Sequence, residues 1–364
     1  MPKPIVPSHP VALSLAGGGS KGDWIIGNLE WLRTVGGLDI RAGAGTSTGS
    51  LCIAKIAALI ATGDEKHWVE LKDIYTKVKT AGIIRHTSGL ARLALDTGLS
   101  GEGDAATIGL AHAVISGGNA VYSTSPLAEL IEEYVSDSDW KAILKAYKTK
   151  KFLMGFCYTD YETGEALLAT NDGSYSRDDL KAALLASASQ PVLMPPVRVG
   201  DRKACYDGGI RDINPIRHLL ARPELQDDSW VQSVLAIYTD AEAVSVQEAP
   251  RDVISILGRT IDLLGYNTVE GDLKQSQLSS VVRRLVMELN PEALSTVLSD
   301  LPPDTAALVD EVLAAPYLPV YSVSPPNALP GSSLVFDPEV AKKRMKSGFK
   351  HAAKYWAKPK APRV

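Results

Sequence analysis

The opening stretch of the chain alternates short apolar runs with longer segments of helical period. Val11 to Ala16 is apolar and stops at Gly17, the length of a strand rather than of a helix. From Lys21 to Val35, Trp24, Ile25, Leu29 and Leu32 fall near helical spacing. A second strand is predicted over Ile40 to Gly45. The alanine-rich, almost wholly apolar Leu51 to Ala61 reads as a helix buried beneath the turn that follows that strand. Strand–glycine–helix followed by strand–turn–helix predicts an α/β protein with a parallel sheet covered on both faces.

Beyond this unit the pattern loosens. Gly82 to Ser125 is rich in glycine, serine and leucine with weak period, as expected of a mobile lid or the mouth of a cleft. Leu127–Val135 and Trp140–Tyr147 read as helices, and Phe152–Tyr158 with Ala166–Thr170 as a hairpin around Glu162-Thr163-Gly164. A helix over Arg177–Ser189 is halted by Gln190-Pro191, and Val197–Tyr206 leads into Asp207-Gly208-Gly209. Val231–Tyr238 is another apolar strand, Arg251–Ala315 is helical in pattern, and Tyr317–Ser324 reads as a last strand before a basic helix from Pro338. Neither internal repeats nor linker composition divides the chain. The expected organisation is an N-terminal extension over 1–10, one domain over 11–357 with a helical part at about 250–315, and a basic tail over 358–364.

Composition narrows the class without choosing a chemistry. The 364 residues are 45% hydrophobic and 22% charged, a globular balance. A net charge of -4 gives nucleic-acid binding no support. The three cysteines, Cys52, Cys157 and Cys205, lack metal-site spacing and are expected to be buried small residues, so no metal is called for. No run is long and apolar enough to cross a bilayer, and Met1 to Pro10 lacks the apolar core of a signal peptide. A cytoplasmic location is expected, with peripheral membrane association and leaderless secretion left open.

The candidate chemistry sits in glycine clusters. Gly17-Gly18-Gly19-Ser20-Lys21-Gly22 follows the first strand, where free backbone N–H groups at a helix start suit an anion. Gly45-Thr46-Ser47-Thr48-Gly49 follows the second strand and fits G-x-S-x-G, a pattern that places serine on a sharp strand-to-helix turn. Together they outline a serine hydrolase. Gly17, Gly19 and Gly22 also match G-x-G-x-x-G, with Asp39 about twenty residues on, so a dinucleotide-binding enzyme is the rival reading. That reading needs the carboxylate to close the second strand, whereas Asp39 opens it. His218, the histidine shortly after Asp207, is the candidate for a triad, and is otherwise expected to start or cap the helix after Asn214-Pro215.

These residues resemble the patatin-like phospholipase family, whose pattern is a glycine-rich oxyanion motif, a G-x-S-x-G elbow and a D-G-G/A motif. Here they stand in order at Ala16–Gly22, Gly45–Gly49 and Asp207–Gly209, with support from Ser187-Ala188-Ser189, Pro191, Pro195-Pro196, Asn214-Pro215 and Phe336-Asp337-Pro338. Ala16 stands where the family usually has aspartate, and Lys21 where arginine is commoner. The resemblance implies a three-layer α/β/α fold with a mostly parallel central sheet and additional helices. It implies hydrolysis of lipid carboxylic esters, without cofactor, by a dyad of Ser47 as nucleophile and Asp207 as general base. Gly18, Gly19 and Ser20 would donate to the oxyanion, and Gly17, Lys21, Gly22, Gly45, Gly49, Gly208 and Gly209 would support the motifs. A lysine at a helix start is ordinarily solvated, and that is expected of Lys21. A lipid-binding protein that does not turn over remains an alternative on the same fold. The implied partner is a lipid or phospholipid, held by an acyl groove drawn from Ile83–Ile115 and Val253–Leu313. In the last helix, Met345, Phe349, Ala352 and Trp356 form a stripe among Lys342, Lys343, Arg344, Lys346, Lys350, Lys354 and Lys358. Such a helix is expected either to pack on the domain or to touch an anionic membrane transiently.

Overall fold

The sheet is built where the apolar runs predict it. In the computed structural model, residues 9–97, 102–226, 230–241, 318–331 and 333–357 are described, with positions 299 and 302. The expected helical part over 251–315, residues 1–8 of the extension and the tail from 358 lie outside the described residues. Strands β1 (Val11–Leu15), β2 (Ile40–Thr46), β5 (Leu153–Asp160), β9 (Ser233–Ile237) and β10 (Val320–Val323) are parallel to one another in the order β10-β9-β1-β2-β5. Strands β6 (Ala166–Thr170) and β8 (Arg202–Asp207) join β5 antiparallel, and β7 (Val197–Val199) pairs with β8. A separate two-stranded ribbon joins β3 (Arg85–His86) to β4 (Tyr122–Ser123).

Every residue of β1 is buried, as a strand covered on both faces requires. Its side chains alternate between two cores. Leu13 and Leu15 face a large cluster with Trp24, Ile25, Ile53 and Trp356, while Ala12 and Ala16 face a smaller one with Ile216, Leu219 and Trp230. The large layer holds helices α1 (Gly22–Trp31), α2 (Thr48–Thr62), α3 (Lys66–Lys77), α6 (Ser125–Tyr134), α7 (Asp137–Lys148), α8 (Arg177–Ser187) and α10 (Pro338–Ala357). The small layer holds α9 (Ile216–Leu220), and α4 (Gly89–Asp96) and α5 (Glu102–Ser116) pack on each other. The fold is a three-layer α/β/α sandwich about a mostly parallel sheet.

Local signals account for several helix starts. Ser136 and Ser176 each form a reciprocal capping box with the aspartate three residues on. Asp337 Oδ1 accepts from the N–H groups of Glu339, at 2.8 Å, and Val340, at 3.3 Å, so α10 begins with proline at its first position. The stretch from 62 to 81 carries no element in the sequence reading, yet α3 lies there. Trp68, Leu71, Ile74 and Tyr75 form its buried face between charged positions. In the loosely patterned Gly82–Ser125 stretch, α4 and α5 lead away from and back to the β3–β4 ribbon.

Helix α10 packs along α1 through Ala341, Arg344, Gly348, Ala352 and Trp356, all buried. Arg344 was expected on the basic outer face and is instead 1% exposed, paired with Asp23. Phe349, expected in the apolar stripe, is 37% exposed. Among the described residues no helix is long and apolar enough to cross a membrane.

Candidate active site

Strand register brings Ser47 and Asp207 together. Phe156 and Cys157 of β5 pair with both β2 and β6, so those two strands lie on opposite edges of β5. Tyr158 and Thr159 pair with both β6 and β8, which places β8 on the same edge as β2. Strand β2 ends with Thr46 opposite Cys157, and β8 runs the other way to end with Asp207 opposite Tyr158. The two strands therefore meet nearly head-on along one edge, and the residues that close them face each other.

Ser47 occupies the turn between β2 and α2 at φ 54° and ψ −122°, a backbone region costly for any residue with a Cβ. Packing around the turn explains the flanking glycines. A Cβ on Gly45 would lie 2.3 Å from the carbonyl carbon of Gly49, and one on Gly49 would lie 2.1 Å from the Leu15 oxygen. The strained peptide is held by Ser187, whose Oγ accepts the Ser47 N–H at 2.9 Å and donates to the Cys157 carbonyl.

The Asp207 carboxylate is fully buried, and the Ser47 hydroxyl lies close enough to it to lower its pKa. Asp207 Oδ1 accepts from the Gly209 N–H at 2.8 Å, and Oδ2 from Gln190 Nε2 at 2.9 Å. Burial lifts the carboxyl to about 7, outweighing the hydrogen bonds from Gly209 and Gln190 and the nearby Ser47 hydroxyl, which act to lower it. A carboxylate so raised is a far better proton acceptor than one in water, and it lies beside the Ser47 hydroxyl. Gly208 and Gly209 turn the chain away from the carboxylate in a short 3-10 turn. The loop beyond knits the site together: Asp212 O accepts from Thr46 Oγ1 at 2.9 Å, and Ile213 O from the Gly17 N–H at 2.9 Å.

The glycine-rich segment lies beside this pair. A Cβ on Gly17 would be 3.2 Å from Ser47 Cβ. Gly18 (φ 149°) and Gly19 (φ 55°) take conformations that L side chains rarely adopt, and Thr239 and the Ser333 carbonyl crowd them from outside. Among the described residues no acceptor takes the Gly18 or Gly19 N–H. Ser20 differs from expectation: its N–H donates to Ser333 O at 2.8 Å, so this amide is committed to the C-terminal segment rather than aimed at an oxyanion. Lys21 differs as well. It is not solvated; its ammonium pairs with Asp240 Oδ1 at 2.9 Å, on the loop after β9, and its side chain is 11% exposed. Gly22 packs against the start of α2, where a Cβ would meet Thr48 Oγ1 at 2.2 Å.

An open cleft reaches Ser47. Its lining combines the polar Lys21 and Asp240 with the apolar Leu51, Ile74, Ile83, Ile84, Leu127 and Phe336. Ile83 and Ile84, from the first of the two segments expected to supply an acyl groove, line this cleft, whereas Val253–Leu313 lies outside the described residues. Ser187, from the supporting Ser187-Ala188-Ser189 motif, completes the surroundings together with Gln190, Thr239, Asp240 and the phenol of Tyr75, which meets Thr48 Oγ1; these four have no sequence motif of their own.

His218 takes no part in this geometry. Its Nδ1 lies 2.7 Å from Asp212 Oδ2 and its Nε2 3.0 Å from Ala166 O, and it lines no part of the cleft. It sits inside α9 rather than at its cap. Cys157, Asp212 and His218 form a cluster of metal-ligand types, but both imidazole nitrogens are already engaged. Asp39 precedes β2 and pairs with Arg41 at 2.8 Å, at the wrong end of the strand for a nucleotide ribose.

A family model described as "Patatin-like phospholipase" matches residues 13–220. No curated protein matches the sequence. Among solved structures, VipD from Legionella pneumophila aligns at 14% identity and TM-score 0.40, over 96% of this chain and 67% of VipD. The type III effector protein ExoU aligns at 17% identity and TM-score 0.24, over 85% of this chain and 62% of ExoU. ExoU in complex with SpcU, from the type III secretion system of Pseudomonas aeruginosa, aligns at 17% identity and TM-score 0.25, over 85% and 61%. This chain covers less than two thirds of ExoU's length.

Proposed function

This chain belongs to the patatin-like phospholipase family, and on that premise we propose that it is a phospholipase A-type lipid acyl hydrolase. Ser47 Oγ attacks the acyl carbonyl of a lipid ester while its proton passes to Asp207. The alkoxide of the tetrahedral intermediate accepts from the Gly18 and Gly19 N–H groups. Collapse expels the alcohol, which takes the proton back from Asp207. Water then enters by the reverse sequence, again losing its proton to Asp207, and releases the fatty acid.

The observation that carries this reading is the pairing of a strained, nearly buried serine with a carboxyl raised to about 7, at the junction of two strand ends. The mixed lining of the cleft supports an amphiphilic substrate, with its acyl chain along Ile74, Ile83 and Ile84 and its polar part toward Lys21 and Asp240. The lysine face of α10 supports contact with an anionic membrane surface. A silent lipid-binding protein has no need of the backbone strain at Ser47, which costs about 1–3 kcal/mol.

Hydrolysis of a phospholipid panel, with fluorophosphonate labelling, tests the reading. Wild type is expected to release fatty acid and to be labelled at Ser47. Ser47→Ala abolishes both, and Asp207→Asn lowers turnover by about 10⁴-fold or more, the scale of losing a general base. Full activity in Asp207→Asn would move the base role elsewhere, and no labelling of wild type would leave only binding.

A further inference from the structure

We infer that Arg344, on α10, is a positioning residue for the Gly18–Gly19 loop. The inference rests on the reading of those two amides as oxyanion donors. Arg344 is 1% exposed, and its guanidinium ties the segment holding Ser20 and Asp23 to Pro330. Nε lies 3.0 Å and 2.9 Å from the two Asp23 oxygens, and Nη2 lies 2.7 Å from Oδ2. Nη2 also donates to Ser20 O at 2.9 Å and meets Ser20 Oγ at 3.0 Å. Nη1 donates to Pro330 O at 3.0 Å.

The loop needs such a hold. Gly18 and Gly19 have no side chains to fix their peptides, and their positive φ values are ones a glycine leaves as easily as it enters. Ser20, the next residue, is tied at both ends of its backbone: its N–H to Ser333 O and its C=O to Arg344. Both ties come from the C-terminal segment, which the chain reaches more than three hundred residues later. The segment from 330 to 344 therefore aims the two glycine amides without touching the substrate through Arg344. Lysine cannot substitute, because one ammonium lacks the planar fork that spans carboxylate, carbonyl and hydroxyl together.

Three variants of the full chain separate positioning from mere stability: Arg344→Lys, Arg344→Ala, and Trp356→Phe, which loosens the same helix far from the loop. Steady-state hydrolysis of a soluble p-nitrophenyl ester and hydrogen exchange by mass spectrometry are the readouts. Arg344→Lys is expected to lower kcat by about 10²-fold, the scale of one misplaced oxyanion donor, with KM within about twofold. Amides of residues 16–24 exchange faster in that variant, while those of β9 keep their protection. Methylguanidinium restores part of the kcat of Arg344→Ala, and Trp356→Phe keeps wild-type kcat. Unchanged kcat and exchange in Arg344→Lys overturn the inference. So does a loss matched by Trp356→Phe, or loss of protection spread evenly over the sheet. If wild type hydrolyses no ester and Ser47 resists fluorophosphonate, the functional reading falls while the exchange data still judge the clasp.

Discussion

Asp207 and Asp23 are both carboxyls lifted to about 7 by burial, and they act on pH in ways that can be told apart. Only ionised Asp207 can take the Ser47 proton, so kcat/KM is expected to rise about tenfold per pH unit below its pKa and to level off above it. Stability runs the other way. A raised carboxyl binds its proton in the folded chain at pH values where the unfolded chain, near ~3.9, has released it. Its contribution is complete at acid pH and is lost as pH rises toward 7. The check is a difference: the Tm of Asp207→Asn minus that of wild type should shift in the variant's favour between about pH 5 and pH 8, because asparagine has no charge to bury. A flat difference would place the titration elsewhere. At this scale, Ser47 and Asp207 stand out in the sequence because glycines must flank them. Gln190 and Asp240 leave no such mark, since a polar side chain beside a proline or after a strand carries no pattern. Lys21 misleads for the same reason: its burial depends on Asp240, which arrives from a distant loop.

Elements converge on the site because β2 and β8 share one edge of β5, and this places narrow limits on the turns at their ends. Gly49→Ala would press a methyl to 2.1 Å from the Leu15 carbonyl, where backbone rather than a pliable side chain must move. A loss of about 1–3 kcal/mol is expected, with activity falling further as Ser47 shifts. Gly89→Ala is the control. It opens α4, its nearest neighbour is the tip of Arg92 at 4.0 Å, and stability should hold or rise by up to ~1 kcal/mol. Thermal unfolding of the pair measures both, and equal effects would remove the packing explanation for the G-x-S-x-G glycines. The parallel strands are legible because burial on both faces makes them continuous apolar runs. The meeting of β2 and β8 is not, because register is a property of pairs of strands. Helix α3 has a readable stripe, Trp68, Leu71, Ile74 and Tyr75, that dense surrounding charge conceals. Helices α4 and α5 pack chiefly on each other, leaving Leu90, Leu93, Val114 and Ile115 exposed; α5 has little period, and α4, though striped, is too short to stand out.

Over the whole molecule, a net charge of -4 hides a sharply uneven surface. Along α10, buried Ala341, Arg344, Gly348, Ala352 and Trp356 face α1, and at 100° per residue Lys343, Lys346, Lys350 and Lys354 fall on the opposite side, all exposed. Lys342 is partly neutralised by Glu339 at 2.7 Å. The sequence shows that the helix is basic and striped; it does not show which stripe turns inward, since that depends on Trp24 and Asn28 of α1, against which Gly348 closes. With the apolar stripe spent on the core, attachment to a bilayer must rest on charge, with Phe349 as the exposed apolar exception. The expected behaviour is therefore electrostatic: pelleting with vesicles containing phosphatidylserine and not with phosphatidylcholine alone, weakening steeply as salt shortens the screening length below ~10 Å. At about 1 kcal/mol per lysine near the surface, replacing all four by glutamate should reduce the partition constant by about 10³-fold or more. Salt-insensitive pelleting, or a charge-reversed chain that still sediments, would assign the contact to the exposed apolar side chains of α4 and α5 instead.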